Sequence, residues 1–208
     1  MSACCGNDAN FDGASSAYRR VLWIVIAINA GMFGVEIVAG ALSGSRALQA
    51  DALDFLGDAV TYGLSLAVIG MSLRARASAA MFKGISLLVM GAWVLGNTAW
   101  GVVVQGVPVA EAMGAVGFMA LIANLTSVLL LMKYRDGDAN VRSVWLCSRN
   151  DAIGNVAVMV AALGVWGTAT GWPDLIVAGI MAALFTWSAV QILRQSFREL
   201  RQHAHPAT

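Results

Sequence analysis

The stretch Ala47–Leu73, ALQADALDFLGDAVTYGLSLAVIGMSL, reads as a membrane-spanning helix with acid built into it. About 20 predominantly apolar residues suffice to cross a hydrocarbon core about 30 Å thick. Asp51, Asp54 and Asp58 interrupt this run. At helical periodicity the three fall in one narrow sector, with Asp54 and Asp58 one turn apart. A charge near the bilayer centre costs roughly 2.5–3.5 kcal/mol on insertion scales. Such residues therefore face a bundle interior or a water-filled cavity, and each needs a cation, a proton or an opposite charge as partner.

A second apolar run carries a matching pair, Cys147 and Asp151, again four apart. Two helices that each present two potential ligands on one face outline a four-ligand cage inside a membrane. The ligand set Asp54, Asp58, Cys147 and Asp151 suits Zn²⁺ and its neighbours, whereas Ca²⁺ or Mg²⁺ would be better served by six or more oxygens. The thiol shifts preference toward Cd²⁺, Co²⁺, Ni²⁺ and Zn²⁺.

The remainder of the chain fits a membrane setting. Of its 208 residues, 59% are hydrophobic and 12% charged, and the mean hydropathy is +0.72. Soluble domains carry about 25% charged residues. A net charge of +1 implies no nucleic-acid partner. Three cysteines, Cys4, Cys5 and Cys147, are too few and too scattered for a disulfide framework. The polar first eighteen residues lack the basic region and short apolar core of a cleaved signal peptide.

Six apolar runs are long enough to span, at 21–42, 47–73, 84–104, 112–132, 143–166 and 175–193. They are continuous rather than alternating, which favours helices over a barrel. The predicted fold is an all-α integral membrane protein of six transmembrane helices. A polar tail covers 1–18, the membrane domain 19–200 and a short tail 201–208.

Basic residues are lopsided. Arg19 and Arg20 precede the first span. Arg74, Arg76 and Lys83 separate the second from the third. Lys133, Arg135 and Arg142 separate the fourth from the fifth, and Arg194, Arg198 and Arg201 follow the sixth. The opposite connections hold only Arg46. The positive-inside rule then puts both termini in the cytoplasm. Two outward turns carry breaker residues, Pro108 in one and Gly171 with Pro173 in the other. With this topology Asp54 comes level with Asp151 and Asp58 with Cys147. Both pairs lie about 10–17 Å deep, where carriers place their sites.

At this point the chain resembles the cation diffusion facilitator family of divalent metal transporters. Residues 48–58, Leu-Gln-Ala-Asp-Ala-Leu-Asp-Phe-Leu-Gly-Asp, are similar to the family's second-span pattern Ala-Asp-x-x-[His/Asp]-x-x-x-Asp. Residues 146–155, Leu-Cys-Ser-Arg-Asn-Asp-Ala-Ile-Gly-Asn, are similar to its fifth-span His-x-x-x-Asp motif followed by Ala-Leu-Gly-Ser. Asn124, the Gly171-Trp172-Pro173-Asp174 turn and the closing Trp187–Leu200 segment add to the likeness, which covers about 18–200.

The resemblance implies that Asp54, Asp58 and Asp151 are metal ligands. Cys147 stands where the family commonly has His or Asp. It also implies efflux of a divalent heavy-metal cation by proton antiport, through a site between helices 2 and 5; compactness and the lack of targeting signals point to a bacterial inner membrane. Metal binding requires deprotonated ligands, so protons arriving from outside compete with the ion for the same oxygens. Zinc or a similar ion is then substrate, with no permanently bound cofactor, and protons are the counter-ion. The usual family member continues into a cytoplasmic C-terminal domain that helps it dimerise and sense metal. Here the chain stops where that domain would begin, so any homodimer is expected to form through transmembrane helices in the lipid bilayer. Cys147 in place of His alters metal preference and proton coupling, because a thiol titrates above an imidazole.

Other residues admit two readings each. Asp51 is either a gate carboxylate on the proton or metal path or a charge favoured by the helix dipole. Glu36 is either a proton relay or a structural hydrogen bonder. Asn124 and Asn150 are candidates to orient the ligands, and Asn29 and Asn124 suit interhelical hydrogen bonds. A lone Cys is most often an apolar filler, and only the i,i+4 spacing to Asp151 makes Cys147 as fit to be a ligand. Arg149 points to another helix face and snorkels toward the cytoplasm. Cys4, Cys5, His203 and His205 either collect metal or sit in tails without a role. Gly40 and Gly44 form a small-xxx-small pair suited to close helix packing.

Competing functions are a membrane-embedded metal sensor or accessory protein without transport, and a proton-coupled exporter of a small organic cation. An enzyme is not expected: there is no Ser-His pair and no His-x-x-x-His, and both histidines lie near the C-terminus.

Overall fold

The computed structural model describes residues 15–68, 71, 73–104, 106–135 and 139–204, and only the backbone of 73–77, 139–144, 146–147, 195 and 199–204. Cys4, Cys5 and His205 lie outside the described residues, as do the side chains of Cys147 and His203. The elements are α1 (Ser16–Ser43), α2 (Arg46–Ala67), α3 (Leu73–Val104), α4 (Ala110–Leu131), α5 (Ala139–Thr168) and α6 (Trp172–Ala204), with a single 3₁₀ turn, Met132–Tyr134, after α4. No strand occurs among the described residues.

Five helices, all but α2, are long and apolar enough to cross a membrane. The acidic residues of α2 dilute its apolar character, and it is surrounded by protein. It packs on α1, α3, α5 and α6. The neighbours α1–α2, α1–α4, α4–α5 and α2–α5 make a four-helix group, and α3 and α6 run along each other as a pair against α2 and α5. The seam between group and pair is where α2 meets α3 and α6.

Helix ends correct the predicted spans. α2 stops at Ala67 rather than Leu73, where the Val68 N–H bonds back to Leu64 O. α3 begins at Leu73 rather than Gly84, so Arg74, Arg76 and Lys83 lie on a helix and not in a connection. Arg142 likewise belongs to α5, and Arg194, Arg198 and Arg201 to α6. Hydropathy marks where lipid contact ends. The backbone ladder runs on until a cap or breaker stops it.

The buried stripe of α1, Leu22, Val25, Asn29, Met32, Glu36, Gly40 and Ser43, repeats every three to four residues. That of α4 runs Met113, Gly117, Ala120, Asn124, Ser127 and Leu131. Large apolar side chains such as Trp23, Val103, Trp166 and Trp187 face outward, as a lipid solvent allows. A Cβ on Gly40 would lie 2.9 Å from Gln49 Cγ and 3.0 Å from Gln49 N, so this glycine permits the close approach of α1 to α2. Gly44 does not share that role: at φ 75° it is the left-handed cap that ends α1.

Candidate metal centre

Along one face α2 presents Asp51, Asp54, Asp58 and Tyr62, and α5 presents Ser148, Asp151 and Asn155 opposite. The Asp151 carboxyl reaches both Asp54 and Asp58 for hydrogen bonding. The structure thus brings three of the four expected ligands together across α2 and α5. The Cys147 backbone is in α5, one turn before Asp151, and its side chain lies outside the described residues. No group of three or more His, Cys, Asp or Glu among the described residues is gathered as a ready metal cage.

A cavity of about 340 Å³ gives these carboxylates access. Its polar lining is Asp54, Asp58, Thr61, Lys83, Asn150, Asp151 and Ser188, and its apolar wall includes Leu87, Met181, Phe185 and Ile192. It lies at the seam between the four-helix group and the α3–α6 pair. Its lining runs from the middle of the bundle toward the end that carries both termini. Asn150 stands at its rim, exposed, and accepts a hydrogen bond from Arg149 Nη2 at 3.3 Å. Arg149 lies over the Trp145 ring, 5.4 Å from its centroid, and so turns away from the carboxylates.

Tyr62, Ser148 and Asn155 are site neighbours that sequence reasoning did not single out. Tyr62 Oη donates to Asp58 Oδ2 and is 3.2 Å from Ser148 Oγ. Two of them continue an acidic face by one turn: Tyr62 follows Asp58, and Asn155 follows Asp151. That i,i+4 extension was the signal available.

A second polar cluster lies deeper in the four-helix group. Asn155 Nδ2 donates to Asp51 Oδ2 at 2.7 Å, and Asn124 Nδ2 donates to Asn155 Oδ1 at 2.8 Å. Glu36 on α1 has its carboxyl beside that of Asp51, and no described donor reaches either Glu36 oxygen. Two carboxyls in contact hydrogen-bond only when one holds a proton. Asp51 lies beyond the first turn of α2, which has no acidic residue of its own. Its partners are therefore side chains of α1 and α5, and the helix-dipole reading loses its basis. Asn124 bonds between helices as expected, but Asn29 does not: its Nδ2 donates to Val25 O in its own helix at 2.8 Å.

The opposite end of α2 is clamped. Asp174 of α6 accepts from Ser45 Oγ at 2.6 Å, Arg46 N at 2.7 Å and Ala47 N at 3.0 Å. Arg46 Nη1 donates to Asn97 Oδ1 at 2.8 Å, Asn97 Nδ2 to Gln49 Oε1 at 2.7 Å, and Gln49 Nε2 to Gly40 O at 3.1 Å. These bonds tie α1, α2, α3 and α6 together at that end.

Comparison with known proteins agrees with this architecture. The model of the cation efflux transmembrane domain matches residues 22–201. The zinc transporter ZitB of Escherichia coli is 32% identical over 204 aligned positions, covering 89% of this chain and 63% of the relative. The metal cation efflux system protein CzcD of Cupriavidus metallidurans is 26% identical, covering 81% of this chain and 58% of that protein. The cadmium, cobalt and zinc/H(+)-K(+) antiporter of Bacillus subtilis is 23% identical, covering 89% and 64%. The chain thus spans somewhat less than two thirds of the length of these relatives. The family match covers all six helices, and the chain belongs to the cation diffusion facilitator family of cation efflux proteins, integral to the membrane and, with its bacterial relatives, of the bacterial inner membrane.

Proposed function

We propose that the protein exports a divalent heavy-metal cation of the Zn²⁺, Cd²⁺, Co²⁺ and Ni²⁺ class in exchange for protons, using Asp54, Asp58, Asp151 and Cys147 as ligands. One observation carries this reading: carboxyls from α2 and α5 meet at a cavity that reaches the middle of the bundle. With the termini in the cytoplasm, as the distribution of basic residues implies, the cavity loads metal from the cytoplasmic side. The hydrogen-bonded end around Asp174 then closes the outer side. The relatives, a zinc transporter and a cadmium, cobalt and zinc/H(+)-K(+) antiporter among them, support the same cargo and a cation counterflow.

The metal is cargo. Asp54 and Asp58 accept it as Asp151 releases its hydrogen bonds to them. Asp51 and Glu36 carry the proton path, with Asn155 and Asn124 holding Asp51 in register. Rocking of one helix group against another, as in other carriers, would use the seam between α3–α6 and the other four helices. The working unit is a homodimer joined through transmembrane helices.

The test is flux in liposomes holding a metal-sensitive dye and a pH dye. The wild type is expected to move Zn²⁺ with opposite proton flux, and Asp58→Ala to lose at least about 90% of it, since one ligand of four is removed. Binding without flux in the wild type would instead make the protein a sensor or accessory. Proton-coupled flux of an organic cation, indifferent to metal, would make it an organic-cation exporter.

A further inference from the structure

A fixed positive charge on the wall of a cavity meant for cations opposes its own cargo. Lys83 of α3 is such a charge. It lines the 340 Å³ cavity with Asp54, Asp58 and Asp151 and is the one basic side chain in that lining among the described residues. Its ammonium acts through space on both Asp54 and Asp58.

Lys83 also lines a second cavity, of about 110 Å³, between α2 and α3, with Thr61, Ser86 and Met90. Gly57 and Leu87 border both cavities. Lys83 therefore stands at the partition between them. Its flexible four-carbon stem lets the ammonium turn toward the carboxylates or toward the hydroxyls of Thr61 and Ser86.

The charges complete the argument. A divalent cation does not fully neutralise three carboxylates and a Cys147 thiolate, and the Lys83 ammonium offsets one of the charges that remain. Without the lysine the same ion would leave one more negative charge unmatched in a poorly solvated site, where such charges are costly.

We propose that Lys83 is a built-in counter-charge that offsets one ligand charge in the cavity and competes with the bound cation for Asp54 and Asp58. The proposal rests on the metal-binding reading of this cluster and identifies the residue that sets its affinity. In the metal-free protein the ammonium stands in the wall that the two cavities share. An arriving ion displaces it toward the α2–α3 cavity, and its return favours release. The residue keeps binding loose enough for turnover.

The experiment is equilibrium dialysis of the purified full chain against Zn²⁺ at low ionic strength, for wild type, Lys83→Met, Lys83→Arg and Asp58→Asn. Lys83→Met is expected to bind about tenfold tighter, the order expected for losing one like charge at moderate separation. Lys83→Arg should match the wild type, and the gap should shrink as salt screens the charge. A purely structural lysine would weaken binding or leave it unchanged when lost. Lys83→Met binding equal to or weaker than wild type overturns the proposal while leaving the metal site intact, provided Asp58→Asn has lost affinity. If Asp58→Asn binds like the wild type, the metal-site reading falls and takes the proposal with it.

Discussion

The two ends of α2 hold the same residue types in opposite conditions. At its start, a carboxylate from α6 meets an excess of donors: one hydroxyl and two backbone N–H groups converge on Asp174. Arg46, Gln49 and Asn97 complete a network in which each amide and guanidinium has a partner. From its second turn onward, α2 offers three carboxylates to a region where further carboxyls, Glu36 and Asp151, face them. The described side-chain donors there are Asn155 to Asp51 and Tyr62 to Asp58, with the Lys83 ammonium in the cavity wall. A satisfied buried network rigidifies its surroundings, whereas a surplus of acceptors is costly until a cation or proton arrives. The first end holds the fold and the second holds affinity for cations.

The sharpest way to break that contrast is Asp174→Ala. The N–H groups of Arg46 and Ala47 belong to the first turn of α2, which has no intrahelical acceptors for them. Losing their acceptor together with that of the Ser45 hydroxyl is expected to lower unfolding stability by about 3 kcal/mol, since hydrogen bonds to charged groups contribute roughly 1.5–3 kcal/mol each and do not add fully. The check is the thermal or denaturant midpoint of the purified protein beside Asp58→Ala. Asp58→Ala should remain as stable as the wild type, because it relieves crowding among carboxyls, while losing flux. A stable Asp174→Ala with an unstable Asp58→Ala would reverse the assignment of the two ends.

Asn155→Ala sharpens the border between them. This residue bridges α4 to α2, accepting from Asn124 and donating to Asp51. Interhelical polar contacts in membranes average about 0.6 kcal/mol and reach about 1.7. A loss of about 1 kcal/mol is expected, with proton-coupled flux falling more than Zn²⁺ binding, since Asp51 loses its register while Asp54 and Asp58 keep theirs. Equal losses in both would place Asn155 with the metal ligands instead.

How far the sequence could be read follows from the range of each interaction. Six helices were legible because hydropathy and breaker residues act locally. Their ends were not, because the backbone ladder of α3 extends from Gly84 back to Leu73 without a change of hydrogen bonding. That error moved Lys83 out of the bundle and hid its place beside Asp54 and Asp58. The approach of Asp151 to Asp54 was legible, since i,i+4 spacing on two helices of opposite direction predicts levels, whereas its reach to Asp58 was not, because the same levels set Asp58 beside Cys147. The Asp174–Ser45 bond was not, because 129 residues separate the partners and neither periodicity nor spacing connects them.

Tyr62→Phe makes the smallest expected change and tests the donor side of the carboxylate cluster. The Tyr62 hydroxyl lies between Asp58 and Ser148, one turn below the expected ligands. Its ring is buried and packs with Tyr18, Leu22, Val25 and Leu131, so removing the oxygen alone preserves the apolar packing. Net hydrogen-bond contributions are about 1 kcal/mol, and the loss of stability should be no larger, because Asp58 lines the cavity and can turn to it. The informative readout is kinetic. If Tyr62 holds Asp58 in a productive orientation, the Phe variant should lose a few-fold in Zn²⁺ flux at low metal and recover at high metal, since weaker binding is overcome by concentration. A flux deficit that persists at saturating metal would instead assign the hydroxyl to the moving step. The Tyr62–Ser148 contact would then be one that must loosen as the four-helix group rocks against the α3–α6 pair.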